Sequence, residues 1–175
     1  MILVLMGVSG SGKTTVGKVL AQTLGWSFDE ADDYHSEANK AKMHRGEPLT
    51  DADRRPWLHA LAARIDQARD RHENLVLACS SLKHEYQVYL RQDLDIVHYV
   101  YLQGSETLIR ERLSHRTGHF MNPSLLDSQF EALEPPEHAV RVEIGPPPGA
   151  LADEIIAKLG LRAKGEHRGP PAEKP

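Results

Sequence analysis

The chain has 175 residues, a hydrophobic share of 40% and a charged share of 26%, which suits one globular domain with a sizeable core. Its formal net charge of −4 argues against a nucleic-acid binder, and its single cysteine, Cys79, excludes an internal disulfide framework. No apolar run approaches the roughly 20 residues needed to span a membrane, and the Met1–Met6 run lacks the basic start and cleavage site of a signal peptide. A reducing, cytoplasmic setting is therefore expected, with neither membrane nor nucleic acid as partner.

In chain order, Ile2–Met6 reads as a buried strand ending at Gly7. A Gly/Ser loop follows, then a helix over Lys13–Leu24 with Val16, Val19, Leu20 and Leu24 on one face. Trp26–Phe28 suggests a second strand, and His35–His44 a helix. Thr50–Asp53 looks like a helix-start cluster, but Pro56 puts the expected start of the helix proper near itself. That helix carries Trp57, Leu61, Ile65 and Ala68. Leu75–Cys79, Ile96–Leu102 and Val140–Ile144 read as strands. Lys83–Leu90, Thr107–Arg116, Pro123–Leu133 and Leu151–Leu159 read as helices. Alternating strands and helices predict an α/β fold with a parallel sheet covered on both faces. One folded domain is expected over 1–161, with a small lid at about 116–135. The Lys/Gly/Pro/Glu-rich segment 162–175 is expected to be a disordered tail.

Gly7-Val8-Ser9-Gly10-Ser11-Gly12-Lys13-Thr14 matches the phosphate-loop pattern without a gap. Its glycines let consecutive N–H groups face phosphate oxygens, and the following helix adds its positive end. Lys13 would reach the β- and γ-phosphates of ATP, and the Thr14 hydroxyl would ligate Mg²⁺. Thr15 continues the same first turn. The guanine-reading motif of a GTPase is missing, and the Leu75–Cys79 strand closes on Ser80-Ser81 rather than on the acidic residue of a motor ATPase. That shifts weight to the small-molecule and nucleotide kinases.

Asp32 follows the second strand, where a carboxylate could orient or deprotonate an attacking hydroxyl; Glu30, just before it, could hold a water of the Mg²⁺ shell. Arg54 and Arg55 sit at a helix start, a local cost that an anionic substrate would offset. A solvated pair of arginines beside Asp51 and Asp53 is the bland alternative. Arg110, Arg112 and Arg116 flank Thr117-Gly118-His119 and could form a closing lid. His115 and His119 lack the surroundings of a metal site, and Cys79 reads as a small buried hydrophobe.

Together these residues resemble the gluconokinase family, small P-loop sugar-acid kinases related to shikimate kinases. The most specific block is Gly46-Glu47-Pro48-Leu49-Thr50-Asp51-Ala52-Asp53-Arg54-Arg55-Pro56-Trp57-Leu58. Cys79-Ser80-Ser81-Leu82-Lys83 with Tyr86 and Arg91, then Gly118-His119-Phe120-Met121 and Gln129-Phe130-Glu131, extend the likeness. The resemblance implies a five-stranded parallel P-loop fold, a homodimer, and ATP and Mg²⁺ as co-substrate and cofactor. It implies D-gluconate as acceptor, with Asp32, His35, Arg54, Lys83, His119 and Gln129 on the acceptor side. Lys13, Asp32 and Arg116 would be catalytic, and Arg112 and Arg116 would meet the nucleotide. The chain departs from the family pattern at Glu30, Ala31, Ser36, Gln87 and Gly145-Pro146-Pro147-Pro148. The rival readings are a same-fold kinase for another acid, such as shikimate, and a non-catalytic ATP-binding regulator.

Overall fold

The computed structural model describes residues 1–91, 95–115 and 123–165. Five strands form one parallel sheet in the order β2-β3-β1-β4-β5. They are β1 (Ile2–Met6), β2 (Ser27–Glu30), β3 (Leu75–Ala78), β4 (Val97–Gln103) and β5 (Ala139–Glu143). The connecting helices are α1 (Lys13–Leu24), α2 (Glu37–His44), α3 (Asp51–Asp70), α4 (His84–Leu90), α5 (Glu106–Ser114), α6 (Pro123–Glu131) and α7 (Pro148–Lys158).

The central strands are apolar throughout because both faces are covered. In β1, Ile2, Val4 and Met6 face one core with Trp57, Leu61 and Ile65 of α3 and Tyr86 and Leu90 of α4. Leu3 and Leu5 face the other core, built from α1, α5, α6 and α7 through residues such as Leu20, Ile109, Leu126 and Ile155. The expected apolar faces of α1 and α3 are the ones buried. Strand β1 lies where the strand order reverses, so the loop after Met6 opens at the switch point where such sheets bind ligands.

Two expectations need correction. Helix α3 begins at Asp51, not near Pro56. Thr50 accepts from the Asp53 N–H while the Asp53 carboxylate accepts from the Thr50 N–H, a complete capping box. That cap outweighs the one helical bond the Pro56 ring nitrogen cannot donate. The other correction is at the C-terminus. The Lys164 N–H donates to the Thr23 carbonyl at 2.8 Å, so the chain packs against α1 beyond the expected boundary at Leu161. Residues 166–175 of the expected tail lie outside the described residues.

Candidate active site

The phosphate loop is shaped by steric necessity. Gly7 has φ 147°, and a Cβ there would sit 2.9 Å from the Leu102 carbonyl oxygen. Gly10 has φ 83°, and its Cβ would meet the Leu113 side chain at 2.9 Å. Only glycine fits such a cradle. Gly12 caps α1, Ser11 N–H closes the turn onto the Val8 carbonyl, and the Val8 side chain anchors the loop in the core. Lys13 Nζ arches back to donate to the carbonyls of Gly7 at 3.0 Å and Val8 at 3.1 Å. Its ammonium is thereby held over the cradle, where phosphate charge would lie. Thr15 is exposed on the same turn.

Beside the loop, Thr14 Oγ1 donates to Glu30 Oε2 at 2.6 Å. Burial raises the Glu30 carboxyl above its ordinary pKa; the Thr14 hydroxyl opposes that and Asp32 adds to it. A hydroxyl and a costly half-buried carboxylate form a hard-oxygen pair that fits Mg²⁺, and a cation there would relieve the cost. Both line a cleft of about 520 Å³ that opens beside β2 and also takes in Asp29, Asp33 and Tyr34.

The acceptor side is assembled from three segments. A short 3₁₀ turn, Ala31–Tyr34, follows β2 and carries Asp32 exposed at the sheet's carboxyl edge. Trp57 of α3 pins this turn by donating from Nε1 to the Ala31 carbonyl at 2.7 Å. His35 stacks flat on Trp57, with ring centroids 4.7 Å apart and planes 7° apart, and its buried Nδ1 has no hydrogen-bond partner among the described residues. Burial lowers the His35 pKa, Asp32 pulls it up, and Arg54 and Lys40 push it down. His35 is thus within electrostatic reach of both Asp32 and Arg54.

Arg54 donates to the Leu49 carbonyl at 2.6 Å and lies 3.8 Å from Asp51. Lys83, from the loop after β3, donates to the same Asp51 carboxylate at 2.7 Å, and the Tyr86 hydroxyl donates to it as well. Both cations lie over the Tyr86 ring, at 6.0 Å and 5.5 Å from its centre. The structure therefore joins Arg54 and Lys83, which are far apart in sequence, through Asp51 and Tyr86. Arg55 is exposed and takes no part in this cluster.

The Lys83 loop is fastened from behind. Glu134 donates its N–H to the Leu82 carbonyl at 2.8 Å and accepts from the His84 N–H. Gln87 donates to the carbonyls of Glu134 at 2.7 Å and Ser81 at 3.2 Å. At this buried position a neutral carboxamide supplies the donors that the two carbonyls accept.

On the nucleotide side, Arg112 donates to the Ile144 carbonyl at the mouth of the Gly145–Pro148 loop. Arg110 ties α5 to α6 through Glu106 and Asp127. Gln129 of α6 lies on the phosphate loop: it accepts from the Ser9 N–H at 2.7 Å and donates to Ser9 Oγ at 3.1 Å. Arg116 and His119 lie outside the described residues. Sequence reasoning missed the roles of Asp51 and Tyr86, although both lie within or beside the motif blocks. It also missed the Arg64–Asp29–Glu73 network that locks α3 to the edge strand.

A family model described as an AAA domain matches residues 2–136, from β1 through the segment that fastens the Lys83 loop. A probable gluconokinase of Dictyostelium discoideum is 46% identical, over 91% of this chain and 86% of that protein. The chain belongs to the gluconokinase family. A crystal structure of a gluconokinase from Sinorhizobium meliloti is 42% identical, covers 90% of each chain, and superposes with a TM-score of 0.82. A shikimate kinase from Bacteroides thetaiotaomicron aligns over 92% of this chain and 99% of its own, with a TM-score of 0.68. At 18% identity that likeness shows the fold alone. Membership of the gluconokinase family makes the chain a P-loop kinase that uses ATP. No helix among the described residues is long and apolar enough to cross a membrane.

Proposed function

We propose that this protein transfers the γ-phosphoryl group of ATP to D-gluconate, giving ADP and 6-phospho-D-gluconate. The observation that carries the reading is the Arg54–Asp51–Lys83–Tyr86 cluster, in which two separate family blocks meet on one carboxylate. The gluconokinase relatives match over the whole of this arrangement.

In this reading the phosphate loop, Gly7 to Thr14, holds ATP through backbone N–H groups. Lys13 and Arg116 offset charge on the transferred phosphoryl group. Mg²⁺, held through Thr14 and Glu30, would neutralise the β- and γ-phosphate oxygens. Arg54 and Lys83 bind the acid end of the substrate, with His35 and His119 along its length. The far hydroxyl then lies near Asp32, which orients it or takes its proton as the O–P bond forms and the bond to ADP breaks. Arg112 borders the adenine. A homodimer and a cytoplasmic location complete the proposal, on the strength of the family resemblance and the single buried cysteine.

The test is ADP release from Mg·ATP with gluconate, shikimate or no acceptor. A gluconate-selective rate of about 1–100 s⁻¹ is expected. Stimulation by shikimate alone would move the acceptor, and no stimulation by any acid would leave a nucleotide-binding regulator.

A further inference from the structure

Asp51 and Asp53 sit two residues apart on the first turn of α3, yet their carboxylates have different surroundings. Asp53 has a structural duty. It completes the capping box with Thr50 and pairs with Lys42 at 2.9 Å, and these contacts, the Thr50 N–H first, hold its carboxyl down at about 2. Asp51 caps nothing. Its side chain is 57% exposed, and one oxygen, Oδ1, accepts from Lys83 Nζ at 2.7 Å and from the Tyr86 hydroxyl, with the Arg54 guanidinium as a further cation at 3.8 Å. Those groups come from two elements and converge as a carboxylate-binding fork does.

We infer that Asp51 is an internal stand-in for the substrate's carboxylate, occupying its seat on Lys83, Tyr86 and Arg54 until the acid displaces it. The inference rests on the acceptor reading above and adds the residue that sets how tightly the acid is held. The Asp51 side chain is already half in solvent, so swinging it out uncovers no core. One carboxylate then replaces another on the same donors, and the cations are never left unpaired. Without such a competitor, two cations at the positive end of α3 would hold any small anion, the carboxylates of substrate and product included, more firmly. Glu85, at 3.6 Å from Lys83, stays as a constant background.

The sign of the effect separates this role from a scaffolding one. Asp51→Asn keeps the shape and an oxygen acceptor but removes the charge. Asp51→Ser removes the charge with a residue suited to a helix start. Dissociation constants are measured by calorimetry on the full chain for D-gluconate and for sorbitol, which has a hydroxymethyl group in place of the carboxylate. Both variants should bind gluconate about three- to fivefold more tightly, since an exposed carboxylate–cation pair near a surface is worth about that much. Sorbitol should stay within about twofold of wild type. Gluconate binding that weakens or stays unchanged in both variants overturns the inference and makes Asp51 a scaffold. Lys83→Met and Arg54→Met keep the two failures apart. If they weaken gluconate while the Asp51 variants do not tighten it, only the stand-in role falls. If neither weakens gluconate, the acceptor assignment falls and the stand-in role with it.

Discussion

The two halves of the active site are built in opposite ways. The phosphate half is contiguous: Gly7 to Thr14 lies between one strand and one helix, and its shape comes from backbone torsions. The acceptor half is a mosaic: Asp32 and His35 after β2, Asp51, Arg54 and Trp57 on α3, and Lys83 and Tyr86 after β3. It is held by side-chain contacts between segments. Backbone geometry changes little from one P-loop protein to the next, whereas a side-chain mosaic can be retuned for a new acid by a few substitutions. The shared half therefore identifies the chemistry, and the mosaic selects the substrate.

Replacing Lys13 should break this division most strongly, because the phosphoryl group is common to both halves. Lys13→Met is expected to lower kcat by about 10²–10³, the cost of losing one preorganised donor to the developing charge. It forfeits two hydrogen bonds to the loop carbonyls, so melting should move by only a few degrees. Steady-state kinetics with a melting curve checks both. A variant that kept its kcat and lost only ATP affinity would show that Lys13 binds without catalysing.

Gln129 tests where the boundary between the halves runs. The family resemblance implies an acceptor role, while the structure sets its carboxamide on Ser9 of the phosphate loop. Gln129→Ala removes two hydrogen bonds of about 0.5–1.5 kcal/mol each and should raise the KM for ATP several-fold, with little change in that for gluconate. Gln129→Glu can still accept from the Ser9 N–H and hydroxyl, but it brings a negative charge toward the phosphates and should be worse than alanine. A rise in the gluconate KM alone would return Gln129 to the acceptor side.

The same contrast explains what could be read from the chain. Strand β1 and the phosphate loop are legible at once because their meaning is local: an apolar run, a spacing of glycines, a lysine. The α3 start is legible in Thr50 and Asp53, yet Pro56 pulls the expected start to itself because proline is read one residue at a time while the capping box acts across four. Arg54 and Lys83 stand out only through motif blocks. Their meeting on Asp51 depends on how α3 packs against the loop after β3, which no local pattern encodes. The Gln129–Ser9 contact spans 120 residues and the Arg64–Asp29 pair 35; motif blocks contain Ser9 and Gln129 but do not pair them, and none marks the second pair. Side-chain pairs formed only by tertiary packing are the part a single sequence withholds.

The smallest expected effect is one of pH, and it belongs to the acceptor half alone. His35 is 7% exposed and flat against Trp57, so protonating it puts a charge into a nearly dry site. Burial holds its pKa below the ordinary 6.5, with Asp32 opposing and Arg54 assisting. The unfolded chain therefore takes up this proton first as pH falls, and the folded chain takes it up later. Above about 6.5 the residue adds no pH dependence. Between there and its folded pKa, stability declines with falling pH by at most about 1.4 kcal/mol per unit, and below the folded pKa the loss levels off. His35→Phe keeps a flat ring on Trp57 and cannot be protonated. The difference between wild-type and His35→Phe melting temperatures should therefore be constant from pH 8 to 7 and shift against the wild type from pH 6.5 to 5. Adding Asp32→Asn to the wild type should carry the decline to lower pH, because it removes the charge that favours the imidazolium. A difference curve flat throughout would mean that His35 titrates alike in both states, and that the dry, stacked imidazole beside Asp32 admits water freely.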